Sequence, residues 1–184
     1  KGVYVFHHDG TIFWSKAFDF SFRIDSDRDV DNSPVVEDID NDGYFEILLT
    51  AKLESEVWLF IWKYDGTPYF SQSTDGRFRE CYSLPSIGDL DNNGDLEIVF
   101  VYKGNIYTFN HDGTPYLGNA NGLLVNIPEE ILDLRVNQEI VLADLDGDHK
   151  LEIICGGISN NGDACIFAFH HDGSLFWRKD LLSD

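Results

Sequence analysis

The chain of 184 residues contains no methionine and few basic residues. Lysine and arginine together number 13 against 33 aspartates and glutamates, so the formal net charge is −20. No basic patch is present to contact phosphates, and nucleic-acid binding is therefore disfavoured. Because no initiator methionine is present, we expect the chain to be a fragment of a larger protein.

Long apolar runs and long helical patterns are also missing. No stretch has the length and apolar character of a membrane-spanning helix, and no segment has the pattern of a signal peptide. No long segment repeats its apolar residues with the 3.6-residue period of a helix. A short helical turn is expected only around Glu129 to Leu134.

Cysteine is scarce, with three residues in the chain. Cys155 and Cys165 lie in two predicted strands joined by a short Asn-Asn-Gly turn. A cross-strand disulfide between them is one alternative, and two buried free thiols are the commoner one. Cys81 has no partner in either case, so the cysteines do not decide the redox compartment.

The main positive feature is an acidic loop that occurs three times. Side-chain oxygens stand at loop positions 1, 3, 5 and 9, and Ca²⁺ takes about six to eight oxygen ligands. The loops therefore predict about three calcium sites. The alternative is three acidic hairpin turns, since Asp, Asn and Gly are common turn residues. The predicted side-chain ligands are Asp38, Asp40, Asp42 and Glu46; Asp89, Asp91, Asn93 and Glu97; and Asp144, Asp146, Asp148 and Glu152.

The sequence around these loops excludes an EF-hand. An EF-hand loop has a glutamate at position 12 and lies between helices, whereas position 12 here is Leu49, Phe100 or Cys155. Apolar, β-branched runs follow each loop, so each loop is predicted to join two antiparallel strands. Position 6 is expected to turn with a positive φ angle. Gly43, Gly94 and His149 occupy it, and Gly147 is expected to share the third turn.

A second repeated element is an Asp-Gly pair between two apolar runs, which predicts a β-hairpin. It occurs four times, at Asp9-Gly10, Asp65-Gly66, Asp112-Gly113 and Asp172-Gly173. The strand before each pair alternates aromatic and mostly aliphatic residues, so both of its faces are apolar. Such a strand must lie between two sheets. The aromatic face carries Tyr4 and Phe6, Phe60 and Trp62, Tyr107 and Phe109, and Phe167 and Phe169.

The two elements combine into a repeat of four strands. The acidic loops begin at residues 38, 89 and 144, so the repeat recurs after 51 and 55 residues. Four strands with this period predict an all-β fold of β-propeller blades. We expect one propeller segment over 1–184, with a half blade at 1–18 and blades at 33–72, 84–118 and 139–180. Three and a half blades suggest part of a larger propeller, or a subunit that completes its ring with another chain.

These loops, the Glu-Ile strands after them and the Asp-Gly-Thr hairpins resemble the FG-GAP/VCBS repeat family, the calcium-loop propellers that include the integrin α-subunit head. The resemblance covers nearly the whole chain. It implies a further ligand in each loop, the main-chain carbonyl at position 7, which belongs here to Tyr44, Asp95 and Lys150. The third loop departs from the family motif because His149 replaces glycine.

Two groups of conspicuous residues are interpreted as structural. The His-His pairs at 7–8 and 170–171 occupy positions that hold Lys63-Tyr64 and Asn110-His111 in the sister repeats, so they are interpreted as turn residues. Trp62 belongs to the aromatic face and is expected to be buried. Trp14 and Trp177 end equivalent hairpins and are expected to pack, which leaves Trp58 as the candidate for exposure.

We therefore expect a calcium-binding propeller module of a secreted or cell-surface protein, because weak calcium sites suit the millimolar extracellular range. Its expected role is adhesion or recognition, and its partner is a glycan, a protein or the rest of its own propeller. The alternative is part of an extracellular polysaccharide-degrading enzyme, lyase-like. Its catalytic residues would then lie on other blades or on an insert from Asn119 to Gln138. No nucleophile signature supports a catalytic residue in this chain.

Overall fold

The regular structure of the chain is almost entirely β. The computed structural model describes residues 2–17, 34–53, 56–73, 84–102, 105–127, 140–158 and 163–181. These ranges contain no α-helix, and accordingly no helix there that is long and apolar enough to cross a membrane. The expected helical turn at Glu129 to Leu134 lies outside them. The strands are β1 (Gly2–Phe6), β2 (Ile12–Ala17), β3 (Val35–Glu37), β4 (Glu46–Leu53), β5 (Glu56–Trp62), β6 (Pro68–Ser73), β7 (Ser86–Gly88), β8 (Glu97–Tyr102), β9 (Asn105–Asn110), β10 (Leu123–Val125), β11 (Ile140–Ala143), β12 (Glu152–Ile158), β13 (Ala164–Phe169) and β14 (Leu175–Asp180).

The strands form four antiparallel sheets in which chain neighbours are also sheet neighbours. Sheet I is the pair β1-β2, and sheets II, III and IV are β3-β4-β5-β6, β7-β8-β9-β10 and β11-β12-β13-β14. Repeated four-stranded antiparallel sheets are the architecture of propeller blades, and the fold is propeller-like. The chain divides into two compact units, one with β1 to β6 and the other with β7 to β14.

In the first unit, sheet I packs on the aromatic face of sheet II. Ile47, Leu49 and Trp62 form a buried cluster, and Val3 and Trp14 of sheet I pack against it. Trp62 is 5% exposed, as the sequence predicts. The indole of Trp14 donates a hydrogen bond from Nε1 to the carbonyl oxygen of Tyr64 at 2.8 Å. Packing of Trp14, predicted from its place at the end of a hairpin, is thus confirmed.

In the second unit, the aliphatic face of sheet III meets the aromatic face of sheet IV. Val101 and Ile106 of sheet III share one buried cluster with Ile153, Phe167 and Phe169 of sheet IV. The backbone N–H of Leu151 also donates to the carbonyl oxygen of Leu90 at 3.0 Å. The strand before the Asp-Gly pair is therefore apolar on both faces for the reason that the sequence predicts.

One aromatic pair and one tryptophan are exposed where their counterparts in other sheets are covered. Tyr4 and Phe6 on β1 are 53% and 57% exposed, whereas their counterparts Phe167 and Phe169 are buried. Trp177 is 37% exposed although it is equivalent to Trp14, so the expectation that it packs in the same way is wrong. Trp14, in contrast, donates a hydrogen bond to the carbonyl oxygen of Tyr64 and lies so close to Gly66 that a Cβ added there would stand 2.8 Å from the indole ring.

Sheet III departs from the repeat after its Asp-Gly hairpin. The sequence predicts the outer strand directly after Thr114, but the chain makes two 3₁₀ turns, Tyr116–Gly118 and Ala120–Gly122. The outer strand is β10, beyond the predicted blade end at 118. Left-handed backbone at Leu117 and Asn121, with φ of 53° and 59°, bends the chain away from an extended path. Only residues 119–127 of the insert predicted from Asn119 to Gln138 are described.

The two described cysteines are buried free thiols. The pairing of β12 with β13 places Cys155 opposite Phe167 and Cys165 opposite Gly157, so the cysteines share a face but are diagonal neighbours. Diagonal positions lie beyond the usual separation for a disulfide. Burial raises the pKa of the Cys155 thiol to about 12. The free-thiol alternative is confirmed, and Cys81 lies outside the described residues.

Candidate metal-binding loops

Each acidic loop connects the first and second strands of a four-stranded sheet. The last strand pair before each loop is Glu37 with Glu46, Gly88 with Glu97, or Ala143 with Glu152. The glutamate at position 9 is therefore the first residue of the second strand. Its side chain is positioned by the sheet, whereas positions 1 to 8 form the loop itself.

The aspartate at position 1 organises the loop backbone. In the second loop, Asp89 Oδ1 accepts a hydrogen bond from the Asn93 N–H at 3.0 Å, and its Oδ2 accepts one from the Gly94 N–H at 2.9 Å. Asp38 does the same in the first loop, with both distances 3.0 Å. In the third loop Asp144 accepts from Gly147 and His149 at 2.6 and 3.1 Å. These bonds wind the backbone around the acidic side chains.

Two residues in each loop have left-handed backbone. Position 6 has φ of 89°, 97° and 72° at Gly43, Gly94 and His149, so the predicted turn is confirmed in all three loops. Position 4 is also left-handed, with φ of 55°, 60° and 83° at Asn41, Asn92 and Gly147. The shared turn predicted for Gly147 is therefore present. The sequence signal for Asn41 and Asn92 was their residue type, because Asn tolerates this conformation better than most residues.

Within the described part of the chain, the buried charged side chains are the glutamates at position 9 of the loops. Glu46, Glu97 and Glu152 are 0%, 1% and 0% exposed. Glu97 Oε2 accepts a hydrogen bond from the Leu90 N–H, and Glu152 Oε2 accepts one from the Leu145 N–H, both at 2.8 Å. One hydrogen bond does not replace the hydration of a carboxylate, so an ionised side chain here requires a further positive partner.

The electrostatics of Glu97 illustrate that requirement. Burial raises the pKa of Glu97 to about 7, although the hydrogen bond from Leu90 opposes the rise. The nearby charges of Asp91, Asp89 and Asp95 raise the pKa further. A divalent cation among these carboxylates would favour the ionised form, since opposite charge lowers a carboxyl pKa.

The loops bring most of their predicted ligands together. Asp38, Asp40 and Asp42 form one group whose ligand atoms all lie within 4.8 Å of one another, and Asp89, Asp91 and Glu97 form another. The third loop forms two groups that share one residue, Asp144 with Asp146 and Asp148, and Asp146 with Glu152 and His170. Glu46 is not in the first group.

One ligand atom in the second loop is buried without a donor. Asp91 Oδ1 has no hydrogen-bond partner among the described residues although it is shielded from solvent. It lies in the group with Asp89 and Glu97. A buried, unpartnered carboxylate oxygen in a cluster of three acids is the environment that an oxygen-preferring cation completes. The residues of the second loop thus fit Ca²⁺.

The residues at positions 5 and 7 form a local turn. The N–H groups of Tyr44, Asp95 and Lys150 donate to the side-chain oxygens of Asp42, Asn93 and Asp148 at 2.8, 2.7 and 2.8 Å. These hydrogen bonds involve the N–H groups of position 7. That the carbonyls of the same residues bind a metal ion stays a prediction from the family resemblance.

A polar network around the second and third loops was not predicted from the sequence. Tyr116 is 3% exposed, and its hydroxyl lies 3.2 Å from Nδ1 of His171. His171 Nε2 lies 3.1 Å from Nζ of Lys150. Burial raises the pKa of Tyr116, and the nearby charges of Asp91 and Glu97 raise it further. Tyr116 therefore links the second loop to the last Asp-Gly hairpin.

Exposed aromatic rings lie next to the first loop. Tyr44 and Tyr64 are 54% and 43% exposed and stack with ring centroids 4.7 Å apart. Phe45, which follows Tyr44, is 57% exposed. No repeat pattern pointed to these rings, because the sister repeats have Asp95 and Lys150 at the position of Tyr44. The side chain of Trp58, the expected exposed tryptophan, lies outside those described.

Comparison with known families agrees with the repeat seen in the sheets. The sequence model of the FG-GAP-like repeat matches residues 38–100 and 89–155. Each match begins at position 1 of an acidic loop and ends in the second strand of the following sheet. The chain belongs to the FG-GAP-like repeat family. The resemblance predicted from the loops is therefore confirmed. No curated protein matches the chain.

Proposed function

We propose that this FG-GAP-like chain is a β-propeller module whose three acidic loops bind Ca²⁺. The observation that carries the proposal is the second loop, where the unpartnered Asp91 Oδ1 lies with Asp89 and the buried Glu97. The ligand sets are the side chains predicted at positions 1, 3, 5 and 9, with the position-7 carbonyls. The ion supplies the positive charge that three converging carboxylates lack.

The proposed role of the ion is structural. In each loop it would join position 9, on the second strand of a sheet, to the acidic residues that follow the first strand. An ion that binds the folded chain more tightly than the unfolded chain raises stability in proportion to RT ln(1 + [L]/Kd). Calcium should therefore protect the loop and the strand pair next to it.

A pair of variants in one loop tests the calcium proposal. Asp91→Asn removes a charge at a proposed ligand, and Asp95→Asn removes a charge at position 7, where only the main-chain carbonyl is proposed to bind. Calcium should raise the melting temperature of the parent protein and of Asp95→Asn, and much less that of Asp91→Asn. Equal calcium-dependent shifts in both variants would show that net charge, rather than ligation by Asp91, determines the response.

We further propose that the module recognises a glycan or protein ligand on a secreted or cell-surface protein. The exposed Tyr44, Phe45 and Tyr64 beside the first loop support this part, because exposed aromatic rings stack on apolar faces of ligands. The side chains of Tyr44 and Tyr64 hold each other in place by stacking.

A glycan array with the parent protein and two single variants tests recognition. Tyr44→Ala should abolish binding, whereas Tyr4→Ala should not, although Tyr4 has a similar exposed fraction of 53%. Loss of binding in both variants would contradict the assignment to the aromatic pair. Product analysis on the same glycans separates binding from lyase activity, because only a lyase forms unsaturated products.

A further inference from the structure

His170 lies next to the buried glutamate of the third loop. The pairing of Ile153 with Phe169 places His170, one residue beyond β13, beside Glu152 at the start of β12. His170 Nδ1 is 3.2 Å from Glu152 Oε1, and the imidazole packs against Phe176 with ring centroids 4.5 Å apart. The strand register and the ring contact thus hold an imidazole nitrogen at a carboxylate that is almost fully shielded from solvent.

Asp146 completes a mixed group of nitrogen and oxygen donors. One ligand atom each from Asp146, Glu152 and His170 lies within 4.8 Å of the other two. Two ligand atoms bound to one Zn²⁺ at its usual bond lengths are separated by about 3.0–3.4 Å. The distance from His170 Nδ1 to Glu152 Oε1, 3.2 Å, lies within this range.

The donor set indicates a class of ion. Ca²⁺ is bound by oxygen ligands, whereas imidazole nitrogen suits Zn²⁺ and other first-row transition metals. His170 replaces neither a loop ligand nor a loop turn residue, so it adds a donor to the oxygens of the third loop. Because Asp146 and Glu152 are also among the proposed calcium ligands, two ions cannot use these two residues fully at the same time.

The sister sheets have other residues at the position of His170. Asn110 is paired with Glu97 in sheet III. In sheet II, Lys63 follows Trp62, which is paired with Ile47, the residue after Glu46. From the sequence alone, this position is interpreted as a turn because its residue type varies among the repeats. The structure instead places it against the buried glutamate, where a change of residue type changes the donor set.

We propose that the third loop holds a transition-metal ion of the zinc class through His170, Glu152 and Asp146. This inference rests on the metal sites proposed for the acidic loops and refines one of them: at the third loop, the zinc-class ion competes with Ca²⁺ for Asp146 and Glu152. A purely structural role for His170, as a hydrogen-bond donor to Glu152, is the alternative outcome of the test.

The test is titration of the chelator-stripped full chain with Zn²⁺ by calorimetry, together with visible absorption of the Co²⁺ form. The parent protein should bind one Zn²⁺ ion with higher affinity than any further Zn²⁺ ion in the titration. His170→Asn should weaken that tight site at least about tenfold. Asn is the natural residue at the equivalent position 110, so this variant copies a sister repeat. His8→Asn, at an exposed histidine of the first Asp-Gly hairpin, is the matched control and should leave zinc affinity unchanged. The reciprocal variant Asn110→His should strengthen zinc binding at the second loop.

Equal zinc affinities and equal Co²⁺ spectra for the parent protein and His170→Asn would overturn the inference. If His170→Asn does not fold, ¹⁵N spectra of the parent histidines decide the question. A zinc-induced shift of the His170 ring nitrogen supports the site, and its absence contradicts it. Calcium titration of the same samples keeps the two proposals separate. Calcium binding without a tight zinc site overturns only this inference, whereas a zinc site without calcium binding contradicts the calcium proposal and supports this one.

Discussion

Gly66→Ala offers a test of how sheet I packs on sheet II, because a matched glycine exists in the same chain. Gly10 and Gly66 occupy the same place in two Asp-Gly hairpins, with φ of 85° and 83°. A Cβ added at Gly10 meets nothing within 4 Å, whereas one added at Gly66 lies 2.8 Å from Cδ2 and 2.9 Å from Cγ of Trp14. The two substitutions therefore share the backbone cost and differ in the contact with the indole ring.

The magnitudes follow from these two contributions. Left-handed backbone costs an alanine roughly 1–2 kcal/mol, and this cost applies at both positions. Overpacking against a fixed side chain adds about 1–3 kcal/mol, and it applies only at Gly66. The indole of Trp14 cannot withdraw freely, because its Nε1 is hydrogen bonded to the carbonyl oxygen of Tyr64 at 2.8 Å. Gly66→Ala should therefore destabilise the protein by about 1–3 kcal/mol more than Gly10→Ala.

Urea unfolding followed by circular dichroism, with calcium held constant, measures both variants. A double-mutant cycle with Trp14→Ala then isolates the contact. In the Trp14→Ala background, Gly66→Ala and Gly10→Ala should cost nearly the same free energy of unfolding. Equal costs in the parent background would refute the packing of Trp14 on the Asp65-Gly66 hairpin.

Two further predictions concern hydrogen bonds in the second unit. Thr114→Val removes a hydroxyl that donates a hydrogen bond to Asp112 Oδ1 at 2.6 Å. This hydrogen bond is the main reason why the pKa of Asp112 lies below its ordinary value of 3.8. A lowered carboxyl pKa stabilises the fold above the ordinary value and loses that effect as pH falls through the folded value. The deficit of the variant, about 0.2–1 kcal/mol at pH 7 because the pair is exposed and screened by solvent, should therefore shrink in melts below about pH 4. A deficit that does not change with pH would contradict the role of Asp112. Tyr116→Phe removes the buried hydroxyl that lies 3.2 Å from His171 Nδ1 and should lower the free energy of unfolding by about 0.5–1.5 kcal/mol, whereas Tyr4→Phe at an exposed ring should not. Equal urea midpoints for both tyrosine variants would count against the network at Tyr116.

The general fold was predictable from the sequence because its rules are local and repeated. Alternation of side chains along a strand made both faces of the strand before each Asp-Gly pair apolar, and Phe167 and Ile106 lie in the buried cluster that this pattern requires. Position 6 of each loop was predictable because a tight turn needs φ > 0, which Gly43 and Gly94 adopt easily. The family match supports the same repeats.

The remaining features depend on contacts that a repeat pattern does not specify. The outer strand of sheet III was predicted too early, because left-handed Leu117 and Asn121 create two 3₁₀ turns that the described parts of the sister repeats do not contain. The proximity of His170 to Glu152 is set by strand register, and the composition of the hairpin alone gave no indication of it. Tyr116 was likewise not singled out, since His171 at its hydroxyl and the nearby charge of Asp91 come from distant parts of the chain.

Calorimetric titration of the chelator-stripped protein with Ca²⁺ decides whether the acidic loops are calcium sites. Thermal unfolding is measured at the start and at the end of the titration. We expect about three binding events and a melting temperature that rises with calcium. No heat of binding and no change in melting temperature would mean that the loops are acidic turns, and would contradict the calcium proposal while leaving the sheets and their packing intact.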